Sequence, residues 1–136
     1  MKIEEPFLID TNILIYALNK DSAYYDFSRK IISENGENLY LAYKSVGEFI
    51  CVMSKMGRYD IIELEWDKII RRFNILFSDS FSAEIYKKLI LKYQPVGNHV
   101  YDFEIVSVML NSGIRKIATV NLSDFIKIEE IDIIHF

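Results

Sequence analysis

The chain has 136 residues, the length of one domain able to bury most of its apolar surface without disulfides or a structural metal. Hydrophobic residues make up 51% and charged residues 26%, with nine Phe and nine Tyr, a globular composition that excludes disordered and collagen-like chains. A formal net charge of −4 excludes a broadly basic nucleic-acid-binding surface, though not a local basic rim.

Residues 7–9 (Phe-Leu-Ile) form a brief apolar run that ends at Asp10. Thr11 and Asn12 are capping-type residues ahead of the apolar stretch 13–18, so the segment reads as strand, turn, helix. A second helix is expected over about 21–34, with Asn35-Gly36 as a left-handed C-cap. LYLAY at 39–43 is the next strand. Ser45-Val46-Gly47-Glu48 then has the S-x-x-E form of a capping box, which puts Glu48 in the first turn of a helix reaching Gly57. Amphipathic spacing predicts helices over 60–74 and 82–93, with a short ILF strand at 75–77 between them. Pro95-Val96-Gly97-Asn98 reads as a loop, and from His99 a helix carries Val100, Phe103, Val106 and Leu110 inward until Asn111-Ser112-Gly113 stops it. Strands are expected at 114–119 and 131–136. Strands alternating with helices, and no linker or repeat, predict a single α/β domain over 1–136 with a mainly parallel sheet.

No apolar stretch reaches the roughly 20 residues needed to cross a bilayer, and the N-terminal segment lacks the pattern of a signal peptide, so no membrane span and a cytoplasmic location are expected. Cys51 is the only cysteine, which excludes an intrachain disulfide or a cysteine-built zinc site; its place in FICVM predicts a small buried hydrophobe. No G-x-x-x-x-G-K-[ST] occurs, which argues against a P-loop NTPase, and the Asp10 segment lacks the D-x-D pair of phosphoaspartate enzymes.

In open α/β sheets, ligand sites form beyond the carboxyl ends of the strands. Asp10 and the Asn121/Asp124 pair lie there by sequence, and Glu48 and Asp102 fall near the starts of helices that face the same edge. Taken one at a time, these residues have local explanations: a turn with an N-cap for Asp10, a capping box for Glu48, a favourable helix dipole for Asp102. Taken together, the carboxylates concentrate negative charge that a hard divalent ion, Mg²⁺ or Mn²⁺, would neutralise.

FLIDTNILIYAL, SVGEF and above all GNHVYDFEIVSVMLNSGIRKIATVNLSDF resemble the PIN domain, particularly the VapC-like toxins of toxin–antitoxin pairs, over essentially the whole chain. The last third is the most specific part: an acid opening a helix, a Gly about ten residues on, a short strand, then Thr-x-Asn-x-x-Asp-Phe. The resemblance implies a Rossmann-like three-layer α/β/α sandwich and a metal-dependent ribonuclease. By that resemblance Asp10, Glu48 and Asp102 are the first three acids of the site, and the fourth position is shared between Asn121, where many members have Asp, and Asp124. Asp10 and Asp102 are then the principal Mg²⁺ or Mn²⁺ ligands together with Glu48. Glu48 orients or deprotonates the attacking water, and Asn121 or Asp124 completes the outer shell.

Asn12, Thr119, Arg71 and Arg72 are candidate substrate contacts, the arginines lying with Lys68 on one helix face that Lys44, Lys55 and Arg58 would extend along the crevice. A solvated helix face is the competing reading. Tyr43, Tyr59 and Tyr101 are candidate stacking residues or, alternatively, core or rim packing; His99 precedes the third acid by three residues, which offers a substrate role, but it and His135 are read as structural. The expected partners are RNA, a small antitoxin and a second copy in a homodimer. The alternative to an enzyme is a PIN-like RNA- or protein-binding module whose nuclease site has decayed, a reading that rests on Asn121.

Overall fold

The computed structural model describes residues 1–135, so Phe136, the last residue of the expected 131–136 strand, lies outside the described residues. Among those residues, strands Phe7–Ile9 (β1), Leu39–Ala42 (β2), Asn74–Leu76 (β3), Lys116–Thr119 (β4) and Asp132–His135 (β5) form one sheet in the order β3-β2-β1-β4-β5. Every neighbouring pair is parallel. The helices are Thr11–Tyr16 (α1), Tyr25–Ser33 (α2), Tyr43–Lys55 (α3), Tyr59–Arg72 (α4), Ser80–Tyr93 (α5), Val100–Asn111 (α6) and Leu122–Phe125 (α7). None is long and apolar enough to cross a membrane.

Successive side chains of a strand point to opposite faces, and here they feed two separate cores. Phe7 and Ile9 of β1, Leu39 and Leu41 of β2 and Ala118 of β4 pack with Ile13, Ile31, Val46, Phe49 and Ile69 of α1–α4. Leu8, Ala42 and Ile117 turn the other way and pack with Leu89 of α5, Phe103, Val106 and Met109 of α6, and Phe125 of α7. Burial on both faces explains why the central strands read as unbroken apolar runs. The result is the expected α/β/α sandwich with an all-parallel sheet.

The chain builds β2 and β3 on one side of β1, then returns to place β4 on the other. The connections leaving β1 and β4 therefore diverge, and a crevice opens at their carboxyl ends. Asp10 stands at that opening, its backbone N–H donating to the Ala118 carbonyl at 2.9 Å.

Several local expectations are corrected. The third helix starts at Tyr43, not at Ser45, so Ser45 is inside it with a buried hydroxyl that has no hydrogen-bond partner, and Glu48 lies in the second turn. The S-x-x-E pattern is therefore not a capping box. A capping box does form at α5, where Asp79 accepts from the Ser82 N–H and the Ser82 hydroxyl accepts from the Asp79 N–H, each at 2.8 Å. Asp10, not Thr11 or Asn12, is the N-cap of α1. Helix α2 ends on Glu34 in a right-handed conformation, and of the expected pair only Gly36 takes a positive φ, +37°; Asn35 ties down the N-terminal segment instead, accepting from the Ile3 N–H and donating to the Met1 and Ile31 carbonyls. Cys51 is exposed because the inward stripe of α3 runs through Val46, Phe49 and Met53.

Phe49 is 2% exposed and anchors α3 on the β1 and β2 side chains. Phe49→Ala is expected to lower unfolding free energy by about 3–5 kcal/mol in chemical denaturation, and Asp79→Ala by about 1 kcal/mol through loss of the α5 cap.

Candidate functional site

Asp10 follows the last residue of β1 with extended backbone (φ −71°, ψ 150°), which turns its side chain back over the first turn of α1. Its Oδ1 accepts from the Thr11 N–H at 2.8 Å and its Oδ2 from the Thr119 hydroxyl at 2.9 Å. The residue is 7% exposed. Burial pushes its carboxyl up to about 6; the hydrogen bonds from Thr119 and Thr11 oppose the shift, and the charges of Glu48 and Asp102 add to it.

The same contacts run outward on both sides of Asp10. Thr11 Oγ1 donates to Glu48 Oε1 at 2.9 Å, which brings α3 to the crevice, and Thr119 Oγ1 accepts from the Asn121 N–H at 2.9 Å, which shapes the turn into α7. Glu48, Thr11, Asp10, Thr119 and Asn121 thus form one hydrogen-bonded series across the carboxyl edge of the sheet.

Asp102 enters from the first turn of α6 and Asp124 from the first turn of α7. Half-burial pushes the Asp102 carboxyl up, and the Asp124 charge pushes it further; a hydrogen-bond contact with His99 opposes both. The His99 Nδ1 lies 3.4 Å from Asp102 Oδ2 and 4.0 Å from Asp124 Oδ1.

All these acids line one crevice of about 500 Å³, together with Asn12, Asn121, His99, Tyr101, Lys55 and Cys51. Sequence reasoning therefore placed Asp10, Glu48, Asp102, Asn121, Asp124 and Asn12 at one location, with Thr119 directly behind Asp10. Of the fourth-position pair, both residues reach the crevice, Asp124 supplying the carboxylate and Asn121 the turn.

Arg71 and Arg72 stand elsewhere. Arg72 donates to the Ile32 carbonyl at 2.6 Å and, with Arg29 and Lys68, rims a separate groove between α1, α2 and α4; Arg71 is exposed at the end of α4 and does not line the crevice. Of the other cations considered, Lys55 lines the crevice, Lys44 pairs with Glu104 and covers the Tyr101 ring at 4.1 Å, and Arg58 pairs with Asp60. His99, read from sequence as structural, is 65% exposed at the side chain and faces two of the acids. Its i, i+3 spacing to Asp102 at a helix start was the signal available for it.

Among the described residues, no lysine or arginine forms an ion pair with Asp10, Glu48, Asp102 or Asp124. Four carboxylates gathered without a fixed counter-charge, one of them buried, are a donor set suited to a hard divalent cation.

The PIN domain family model matches residues 7–131. None of the curated proteins compared matches the sequence. Among solved structures, the chain is similar to VapBC2 from Rickettsia felis bound to a promoter DNA fragment, with a TM-score of 0.75 at 19% identity, covering 100% of this chain and 99% of that one. It is also similar to DNA-bound VapBC from Salmonella typhimurium, with a TM-score of 0.72 at 21% identity, over 96% and 98% of the two chains. Mycobacterium tuberculosis VapC20, a toxin that cleaves the sarcin-ricin loop, gives a TM-score of 0.67 at 12% identity over 82% and 86%. These likenesses establish the fold, and the match of the family model over nearly the whole sequence establishes more: the chain belongs to the PIN domain family.

Proposed function

We propose that this chain is a divalent-metal-dependent ribonuclease that hydrolyses RNA phosphodiester bonds and serves in the cytoplasm as the toxin of a type II toxin–antitoxin pair. The observation that carries the reading is the convergence of Asp10, Glu48, Asp102 and Asp124 on one crevice at the switch point of the sheet. PIN domains are generally nucleases, and one of the similar structures is an RNA-cleaving toxin.

Asp10 and Asp102 are the residues assigned to hold Mg²⁺ or Mn²⁺, with Glu48 beside them and Asp124 in the outer shell. When bound, such an ion polarises the scissile phosphate and offsets charge on the departing oxygen. Thr11 fixes one carboxylate oxygen of Glu48. The other is left to orient a water and accept its proton as the water oxygen bonds to phosphorus and the phosphorus–oxygen bond to the next nucleotide breaks. Thr119 and Thr11 hold Asp10 from both sides, so the ligand is set before substrate arrives. Asn121 does not favour a decayed site, because Asp124 supplies a carboxylate to the same crevice and the Asn121 backbone is used to position Thr119.

At the rim, Lys55 and Asn12 are suited to phosphate contact, and the exposed Tyr101 ring to stacking on an unpaired base. The groove between α1, α2 and α4 has an apolar floor of Leu14, Ala17, Ile69 and Phe73 and a mostly basic rim of Arg29, Arg72 and Lys68, the last paired with Glu65 at 3.7 Å. It supports the antitoxin part of the proposal, since it suits an apolar segment flanked by acids. The homodimer belongs to the same proposal and is read by light scattering of the purified chain.

The function is tested with purified protein and a labelled single-stranded RNA. Cleavage should require Mg²⁺ or Mn²⁺, stop on chelation, and fall at least 100-fold in Asp10→Asn with the circular dichroism spectrum unchanged; full activity of that variant overturns the assignment. Stability should move in the opposite direction. The folded-state carboxyl of Asp10 lies near 6, above the ordinary 3.8, so the cost of ionising it in the metal-free protein is complete above about pH 6 and disappears as pH falls towards 4. Metal-free Asp10→Asn is therefore expected to be more stable than the parent by on the order of 3 kcal/mol at pH 7.5, with the gap closing in urea denaturation at pH 4. Saturating Mg²⁺ or Mn²⁺ should raise the melting temperature of the parent, by the equivalent of about 2.7 kcal/mol at a hundred times Kd, and leave Asp10→Asn nearly unmoved.

A further inference from the structure

His99 stands in an unusual place for a histidine with a structural role. Its side chain is exposed, it follows Gly97, whose φ of +61° turns the loop, and it ends the 3-10 turn that leads into α6. From there Nδ1 reaches Asp102 Oδ2 at 3.4 Å and Asp124 Oδ1 at 4.0 Å, and the three side chains each offer a donor atom within 4.8 Å of the other two. A hydrogen bond from His99 to Asp102 accounts for one edge of this triangle. It does not account for the approach of a second carboxylate, from a different helix, to the same point. Donors held about 2.1 Å from a common ion stand about 3.0 Å apart at octahedral angles and about 3.4 Å at tetrahedral ones, so the His99–Asp102 edge of 3.4 Å is near chelating spacing and the His99–Asp124 edge of 4.0 Å closes to it by a small side-chain movement.

We propose that His99 supplies a nitrogen donor, through Nδ1, to the divalent ion that Asp102 holds, with Asp124 beside it, and that this donor tilts the crevice towards first-row transition ions over Mg²⁺. Imidazole is a good ligand for transition ions, whereas Mg²⁺ prefers oxygen donors and retains its waters. Asp10 and Glu48, in the same crevice, offer oxygen only. His99 is thus what makes the donor set mixed. The inference rests on the crevice holding a divalent ion and not on RNA being the substrate.

The test uses tag-free protein, with Mn²⁺ and Mg²⁺ as probes. Pulsed electron paramagnetic resonance of the Mn²⁺-loaded parent should show coupling to one imidazole ¹⁴N, and His99→Gln should lose it; His135 is the other histidine of the chain, so the loss assigns the nitrogen. By calorimetry, Mn²⁺ affinity should fall at least tenfold in His99→Gln and in His99→Ala, while Mg²⁺ affinity changes less than threefold. A parent spectrum without nitrogen coupling, no Mn²⁺ binding, or equal weakening of both ions overturns the inference. Nitrogen coupling in a protein that cleaves no RNA would leave it standing and overturn the proposed function; cleavage without nitrogen coupling would do the reverse.

Discussion

The structure is organised around a buried carboxylate. Asp10 sits at the carboxyl end of the central strand of an all-parallel sheet, 7% exposed, where an ionised group is expensive to keep. Two short hydrogen bonds hold it there, from the Thr11 backbone and the Thr119 hydroxyl, and they only partly offset the cost of burial. That residual cost is what a bound cation would remove. In a family of metal-using enzymes, the arrangement reads as stability given up at the site and recovered on binding.

The topology makes the arrangement possible. Because β2 and β4 flank β1, the helices that follow these strands, α1, α3 and α7, start at the same edge; α3 and α7 each bring one carboxylate to it, and α6, which precedes β4, brings another. Residues more than a hundred positions apart become neighbours through strand register alone: Ile9 lies beside Ala118, which sets Asp10 beside Thr119. The threonines then do two jobs at once. Thr11 links Asp10 to Glu48, and Thr119 links Asp10 to the turn that delivers Asp124. A rigid hydrogen-bonded edge of this kind holds the acids in place before any ligand arrives.

Charge is distributed so that the crevice stays acidic. Lys44 is engaged with Glu104 and Arg58 with Asp60, Arg72 lies in a separate groove, and Lys55 reaches the rim without pairing with the site acids. A chain of net charge −4 meeting a polyanion needs its negative pocket neutralised first, so metal occupancy and RNA approach are coupled by electrostatics in the proposed reaction. His99 is the one basic ring placed against these acids, which is why it sets the character of the donor set.

Much of this was legible in the sequence. Apolar runs broken by turn residues gave the strand and helix alternation, and acids at the ends of those runs marked the site, because both patterns are local and repeat with the period of the backbone. What was misread depends on facing and not on order. The S-x-x-E pattern at Ser45 is sound as local chemistry, yet α3 starts two residues earlier because Tyr43 continues directly from β2, and Glu48 is held by Thr11 of another element. Cys51 lies in an apolar string but on the outward stripe of its helix; Arg71 and Arg72 share a helix with the right charge, yet that helix does not reach the crevice and Arg72 rims a separate groove with α1 and α2. The sequence by itself determined the layers, the parallel sheet and the identity of the acids. Only the tertiary structure decided which side chains meet, that Asp124 supplies the fourth carboxylate while Asn121 shapes its turn, and that His99 faces two of the acids, since such meetings are set by strand register and helix rotation across long sequence separations.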